Sequence, residues 1–219
     1  MNRSRQVIRF WIALSFAFTL SAKAVAAPPA PRDQVRRYNG SYWSVGLLAG
    51  LSLLENRAYS HRAGYLVGVE GRLVTVMHLF GVGLTYSHAG YNLGLDGVRI
   101  RSFRHTVAAD VYVHPLFFVM LSNSWFYYAL STFHISLGTG LEITQWRPTG
   151  APARTEADAS FRLGCGMEMP LDNPHDGGAF WLGWAYQFSY MRVDTRTRAS
   201  RTMSEHGFFL TLSYRTNGW

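Results

Sequence analysis

The feature that most constrains this chain is an alternation of period two, repeated in eight segments between Trp43 and Tyr214. Successive residues of a β-strand point to opposite faces, so each segment divides into two series. Trp43, Val45, Leu47, Ala49, Leu51 and Leu53 stand against Tyr42, Ser44, Gly46, Leu48, Gly50 and Ser52. Phe80, Val82, Leu84 and Tyr86 stand against Gly81, Gly83, Thr85 and Ser87. His105, Val107, Ala109, Val111 and Val113 oppose Arg104, Thr106, Ala108, Asp110 and Tyr112. The same split recurs over Tyr65–Leu73, Phe133–Ile143, Phe161–Met167, Phe180–Tyr190 and Phe208–Tyr214. Segments of roughly 9–12 residues match what a tilted strand needs to cross a bilayer.

Two all-β architectures have one apolar and one non-apolar face: a soluble barrel with the apolar face inside, and a membrane barrel with it outside. The soluble form requires a solvated outer face rich in Lys, Glu and Asp. Here the second face is mostly Gly, Ser, Thr and Ala, and charged residues are only 16% of the chain. Small residues suit the crowded interior of a narrow barrel. A mean hydropathy of −0.02 is what alternate lipid-facing residues produce. The sequence therefore predicts an all-β, antiparallel, up-and-down transmembrane β-barrel of about eight strands, formed by residues 42–219.

Residues 1–26 read as a cleaved signal peptide. Arg3, Arg5 and Arg9 precede an apolar run from Phe10 to Leu20, and Ala24-Val25-Ala26 is a small-x-small cleavage site. Residues 27–41, Pro-rich and basic, read as a periplasmic lead-in. Cleavage leaves 193 residues, removes the only Lys, Lys23, and lowers the formal charge from +8 to +4. No basic run suited to tracking phosphates along a nucleic acid remains. Cys165 is the single cysteine, on the lipid-facing register, so no intrachain disulfide can form.

Connections are expected to alternate, with long polar loops at Glu55–Gly64, His88–Val98, Arg147–Ala159 and Arg192–Glu205 and shorter links at Val74–Met77 and Pro170–Gly178. The apolar stretch Pro115–Leu130 breaks this rhythm. Either it is an interfacial turn carrying Trp125, Phe126, Tyr127 and Tyr128, or Asn123-Ser124 turns an extra hairpin and makes ten strands.

The signal peptide, the eight alternating strands, the loop rhythm and the final Phe208–Tyr214 strand resemble small Gram-negative outer-membrane β-barrels of the OmpA/OmpX/OmpW type. That resemblance covers residues ~42–215, nearly the whole mature chain. It implies a monomer in the cell outer membrane, in contact with lipid and lipopolysaccharide, and assembled by the barrel-assembly machinery. The family's final strand usually ends on an aromatic assembly signal. Here Trp219 is terminal but out of phase with Leu210, Leu212 and Tyr214.

On the inner face the sequence places Arg72, Arg104, Arg162 and Arg215 with Glu70, Asp110, Glu142 and Glu168, four cations for four carboxylates. Unpaired buried charges are costly, so these are expected to pair. Arg104, Glu142 and Arg162 are expected near the extracellular half, and the other five toward the periplasmic half. Such a network is either a structural plug or a polar constriction for small solutes and ions. His134-Ile135-Ser136 resembles the His-x-Ser pair of outer-membrane lipid A deacylases and phospholipases. It falls on the Gly/Ser face, away from acyl chains, and reads as a lumen histidine near Ser136 and Glu142. The remaining histidines are scattered singly, so neither a metal site nor a cofactor is expected. The outer loops and their flanks carry ten Arg (Arg57, Arg62, Arg99, Arg101, Arg147, Arg154, Arg192, Arg196, Arg198 and Arg201) and six acids; the arginines, most concentrated at Arg196, Arg198 and Arg201, are suited to contact lipopolysaccharide phosphates.

Overall fold

The computed structural model describes residues 41–55, 59, 62–75, 79–95, 97–118, 129–171, 178–193 and 201–217. Eight antiparallel strands close into one barrel: β1 (Tyr42–Glu55), β2 (Ala63–Thr75), β3 (Phe80–Leu95), β4 (Val98–Val113), β5 (His134–Pro148), β6 (Arg154–Pro170), β7 (Gly178–Val193) and β8 (Arg201–Asn217). Each pairs with its neighbours in sequence, and β8 pairs with β1. Closure satisfies every strand edge, which a hydrocarbon environment demands.

The register fixes the shape. Following partners from Tyr42 through Val74, Gly81, Tyr112, Ser136, Gly164, Gln187 and Gly207 returns to β1 at Ser52, ten residues further on. Eight strands with that stagger tilt by about 40° and enclose a backbone radius of about 8 Å, filled by side chains.

Exposure decides between the two barrel types. Leu47 and Leu84 are 60% and 67% exposed, as are their apolar strand-mates, while Ser44, Thr85, Asp110 and Glu142 are buried. The apolar face points outward. On β5 it runs from Ile135 to Ile143, about 20 Å once the tilt is included, approaching the ~25 Å height of a barrel's apolar band.

Two expectations about length are corrected. The strands have 13–17 residues, longer than the apolar band requires. Beyond the band the outward residues turn largely polar or small while inward ones such as Leu54, Leu93 and Ile100 are apolar, so the alternation that marks the band ends while pairing does not. Connections shrink accordingly. β3 and β4 meet across Asp96-Gly97 alone, with Gly97 at φ 81°, where a loop over His88–Val98 was expected. Both ends of the Arg192–Glu205 segment are strand, because β7 runs to Val193 and β8 starts at Arg201. The longest link, 114–133, lies at the end carrying the chain termini, opposite to the expected rhythm.

That link supplies no ninth or tenth strand to the ring, because β4 pairs directly with β5. Its described parts are a turn over Pro115–Phe118 and one helical turn at Ala129–Ser131. Asn123-Ser124 and the Trp125–Tyr128 run lie outside the described residues, as do residues 1–40 and 218–219.

Candidate functional site

The inner face is built on alternation around the barrel as well as along each strand. One spiral of register partners reads Arg215 (β8), Ser44 (β1), Arg72 (β2), Gly83 (β3), Asp110 (β4), Gly138 (β5), Arg162 (β6), Ser189 (β7) and Glu205 (β8). Charged residues occupy alternate strands, and a Gly or Ser separates each pair. The small residues supply the space that long side chains need to reach across a strand.

At the end carrying the termini, Arg72 Nη2 lies 2.6 Å from Glu70 Oε1, and Arg72 Nη1 3.3 Å from Glu168 Oε2. Arg215 pairs with the same Glu168 oxygen. Aromatic rings clamp both cations. The Arg72 guanidinium stands 4.9 Å from the Tyr112 ring centroid, and that of Arg215 stands 4.3 Å from Tyr42 and 4.0 Å from Trp181. Thr132 Oγ1 accepts the Glu168 N–H at 2.8 Å, tying the 114–133 link to β6 beside this cluster. Midway, Arg162 Nη1 lies 3.4 Å from Asp110 Oδ2, and Thr85 donates to the same oxygen at 3.5 Å.

Toward the far end, Arg104 Nε lies 3.3 Å from Glu142 Oε2, and its Nη2 pairs with Glu205. Glu205 Oε1 also accepts the hydroxyls of Ser52 and Tyr91. Arg104 Nη2 donates to Tyr91 Oη at 3.1 Å. Above this group sits an apolar cap of Leu54, Leu93, Ile100, Met191 and Met203, with Tyr59 and Trp146 packed against it. Tyr59 and Trp146 stack at 6.0 Å.

All eight sequence-predicted lumen residues therefore point inward and are buried, but two details differ. Arg162, expected with Arg104 and Glu142 near the extracellular half, lies midway and pairs with Asp110 of the other group. Asp110 and Arg162 are both register partners of Gly138, so the guanidinium reaches across a residue with no side chain. A fifth carboxylate, Glu205, completes the Arg104 site, so the fully buried charges of the described lumen are five acids and four Arg. The sequence signal was its phase: Glu205 continues the inward series Gly207, Phe209, Thr211 and Ser213. The expected loop over Arg192–Glu205 concealed it.

His134 and Ser136 both line the lumen, and no hydrogen bond joins them. His134 Nδ1 lies 3.1 Å from the Thr132 carbonyl, and its ring meets Tyr112 and His114 at 5.4 and 5.6 Å. Glu142 is eight residues along β5, about 26 Å away, and is no neighbour of His134. Burial pushes the imidazole of His114, which follows β4, down to about 3, and repulsion from Arg215 and then Arg72 adds to this. His114 therefore adds no charge.

A second His/Ser group, missed in the sequence, lies on the outer face. Ser204 donates to Glu55 Oε2 at 3.0 Å, and His206 Nε2 lies 3.4 Å from the same oxygen. Tyr186 Oη lies 2.8 Å from His206 Nδ1. Hydroxyl and imidazole both serve Glu55, an arrangement that holds the carboxylate without linking Ser204 to a base. Of the predicted loop arginines, Arg196 and Arg198 lie outside the described residues, and Arg201 heads β8. Among the described residues no group of three His, Cys, Asp or Glu side chains could hold a metal ion.

No family model matches the sequence, and no curated protein matches it. Solved structures do. Ail, the attachment invasion locus protein of Yersinia pestis, aligns with a TM-score of 0.50 at 13% identity, over 80% of this chain and 98% of Ail. Neisserial surface protein A aligns at 9% identity and a TM-score of 0.39, over 82% of this chain and 97% of that one. At such identity the likeness to Ail is one of fold. Together with the outward apolar band, it makes this chain an eight-stranded, antiparallel, transmembrane β-barrel with the fold of the small outer-membrane barrels.

Proposed function

We propose that this protein is a sealed barrel of the Gram-negative outer membrane, in which the lumen network has a structural role and leaves no standing pore. The signal-like residues 1–26 direct export, the end carrying the termini faces the periplasm, and the far end faces outward. The observation that carries the reading is burial: none of the nine charged residues of the paired network is more than 6% exposed. A water-filled constriction keeps its charges wet, whereas these are spent on one another and on aromatic rings. The apolar cap around Leu93 and Met203 supports the same reading at the far end, and Tyr42 and Trp181 around Arg215 support it at the other. The reading assigns the lumen no covalent chemistry.

Planar-bilayer recording of the refolded barrel tests it, with insertion verified separately. Wild-type protein is expected to give no discrete conductance steps. Steady steps in wild type, changed in size by Arg162→Ala, would overturn the sealed-barrel reading in favour of a narrow ion or solute pore.

A further inference from the structure

Above the apolar band, the outer face of β4 and β5 carries an arrangement that the lumen does not explain. Arg101 and Arg147 are direct cross-strand partners, both exposed, and Arg99 lies two residues further toward the rim on the same face. Like charges placed directly opposite one another destabilise a strand pair unless something neutralises them. Among the described residues nothing does. None of these three arginines has an ion-pair partner among the described residues, and the surrounding outward positions are Asn92, Phe103, His105, Gln145, Thr155 and Ala157. The nearby carboxylate of Glu156 is engaged by Trp146 Nε1 at 3.0 Å, on the inward side.

Arg147 is held in place. Arg147 Nη2 donates to Gln145 Oε1 at 3.3 Å, and its guanidinium stands 5.5 Å from the Phe103 ring centroid. Below Phe103 lies a polar aromatic floor. His88 stacks on Phe103 at 6.0 Å and meets His105 at 4.6 Å, while Tyr65 and Tyr86 hydrogen-bond His88 and His105 at 3.1 and 2.8 Å. Such groups belong at a membrane–water boundary. The pair Arg101–Arg147 is four residues beyond Ile143, the last aliphatic of β5, which places it about 10 Å above the band. That is headgroup depth, on the side of the wall that touches lipid.

We propose that Arg101 and Arg147, with Arg99 beside them, form a seat for the phosphate of a lipid headgroup against the outer wall of β4 and β5. Paired guanidinium forks match a phosphate's oxygens, and one dianion neutralises both cations. The proposal rests on the membrane-barrel reading and not on whether the lumen is sealed. It narrows the phosphate contact from the ten outer arginines to three of them at a defined place on the wall, in place of the Arg196, Arg198 and Arg201 run.

The test uses the full-length barrel in phosphatidylcholine nanodiscs doped with diphosphorylated lipid A or with its dephosphorylated form, and native mass spectrometry counts retained lipid. Wild type is expected to retain the phosphorylated form selectively. Arg101→Gln/Arg147→Gln should lower that occupancy roughly tenfold, the effect of losing about 1.4 kcal/mol, while Arg196→Gln/Arg198→Gln leaves it unchanged. Equal retention by wild type and the Arg101/Arg147 variant would overturn the seat. So would equal retention of the dephosphorylated lipid, or displacement by inorganic phosphate alone, which would mark a site for free anion. A brominated-lipid fluorescence assay on the same samples separates the two levels. Insertion without selective retention defeats only the seat, whereas failure to insert defeats the membrane reading beneath it.

Discussion

Glu168 is the residue on which the terminal half of the lumen depends, because one of its oxygens serves both Arg72 and Arg215. Removing one partner of a buried ion pair leaves charge that the interior cannot solvate, at a cost of about 3–5 kcal/mol. Glu168→Ala is therefore expected to destabilise the barrel by that amount in urea unfolding from lipid vesicles. Glu142→Ala should cost clearly less, because Arg104 keeps Glu205. Equal effects from the two would show that the shared carboxylate has no special weight. Which residues face inward was legible from phase alone, but which carboxylate each guanidinium finds was not. Strand phase gives a residue's face and height, whereas the Arg162–Asp110 pair depends on register across Gly138, which only the closed ring defines.

For the elements, the alternation marks the part of each strand that lies in the apolar band and stops being informative above it. β3 and β4 show where the limit lies. From Phe80 to Tyr86 the outward residues are apolar, but beyond His88 the pattern inverts, with Ala89, Tyr91 and Leu93 inward and Asn92 outward, and the ladder nevertheless reaches Leu95. The local turn signal was present in Asp96-Gly97, a dipeptide suited to two-residue hairpins because glycine adopts positive φ without strain. Gly97→Ala forces a Cβ into the left-handed region and should cost about 1–2 kcal/mol. Matched unfolding curves, with Gly97→Asn as a tolerated comparison, measure it. If Gly97→Ala unfolds like wild type, the hairpin does not depend on this turn.

The whole molecule is a cylinder with a polar, self-neutralised inside and a lipid-facing outside, so the effect of a charge on its wall depends on height. Leu137→Arg, in the middle of the β5 band, should destabilise by about 2–4 kcal/mol, and Thr155→Arg, beside Gln145 above the band, by about 0–1 kcal/mol. Similar losses at both positions would place the band elsewhere. The spiral of charged and small residues has a further bearing on how the molecule comes into being. It begins and ends on the last strand, at Arg215 and Glu205. Until β8 docks, Arg104, Ser52 and Tyr91 lack Glu205, and Glu168 has only one of its two guanidiniums. Ring closure therefore completes an interior pairing that Arg72–Glu70, Arg104–Glu142 and Arg162–Asp110 make without β8. A half-built sheet carries bare interior charges that favour water over hydrocarbon, which holds the nascent chain at the membrane surface until its last strand has been made and placed.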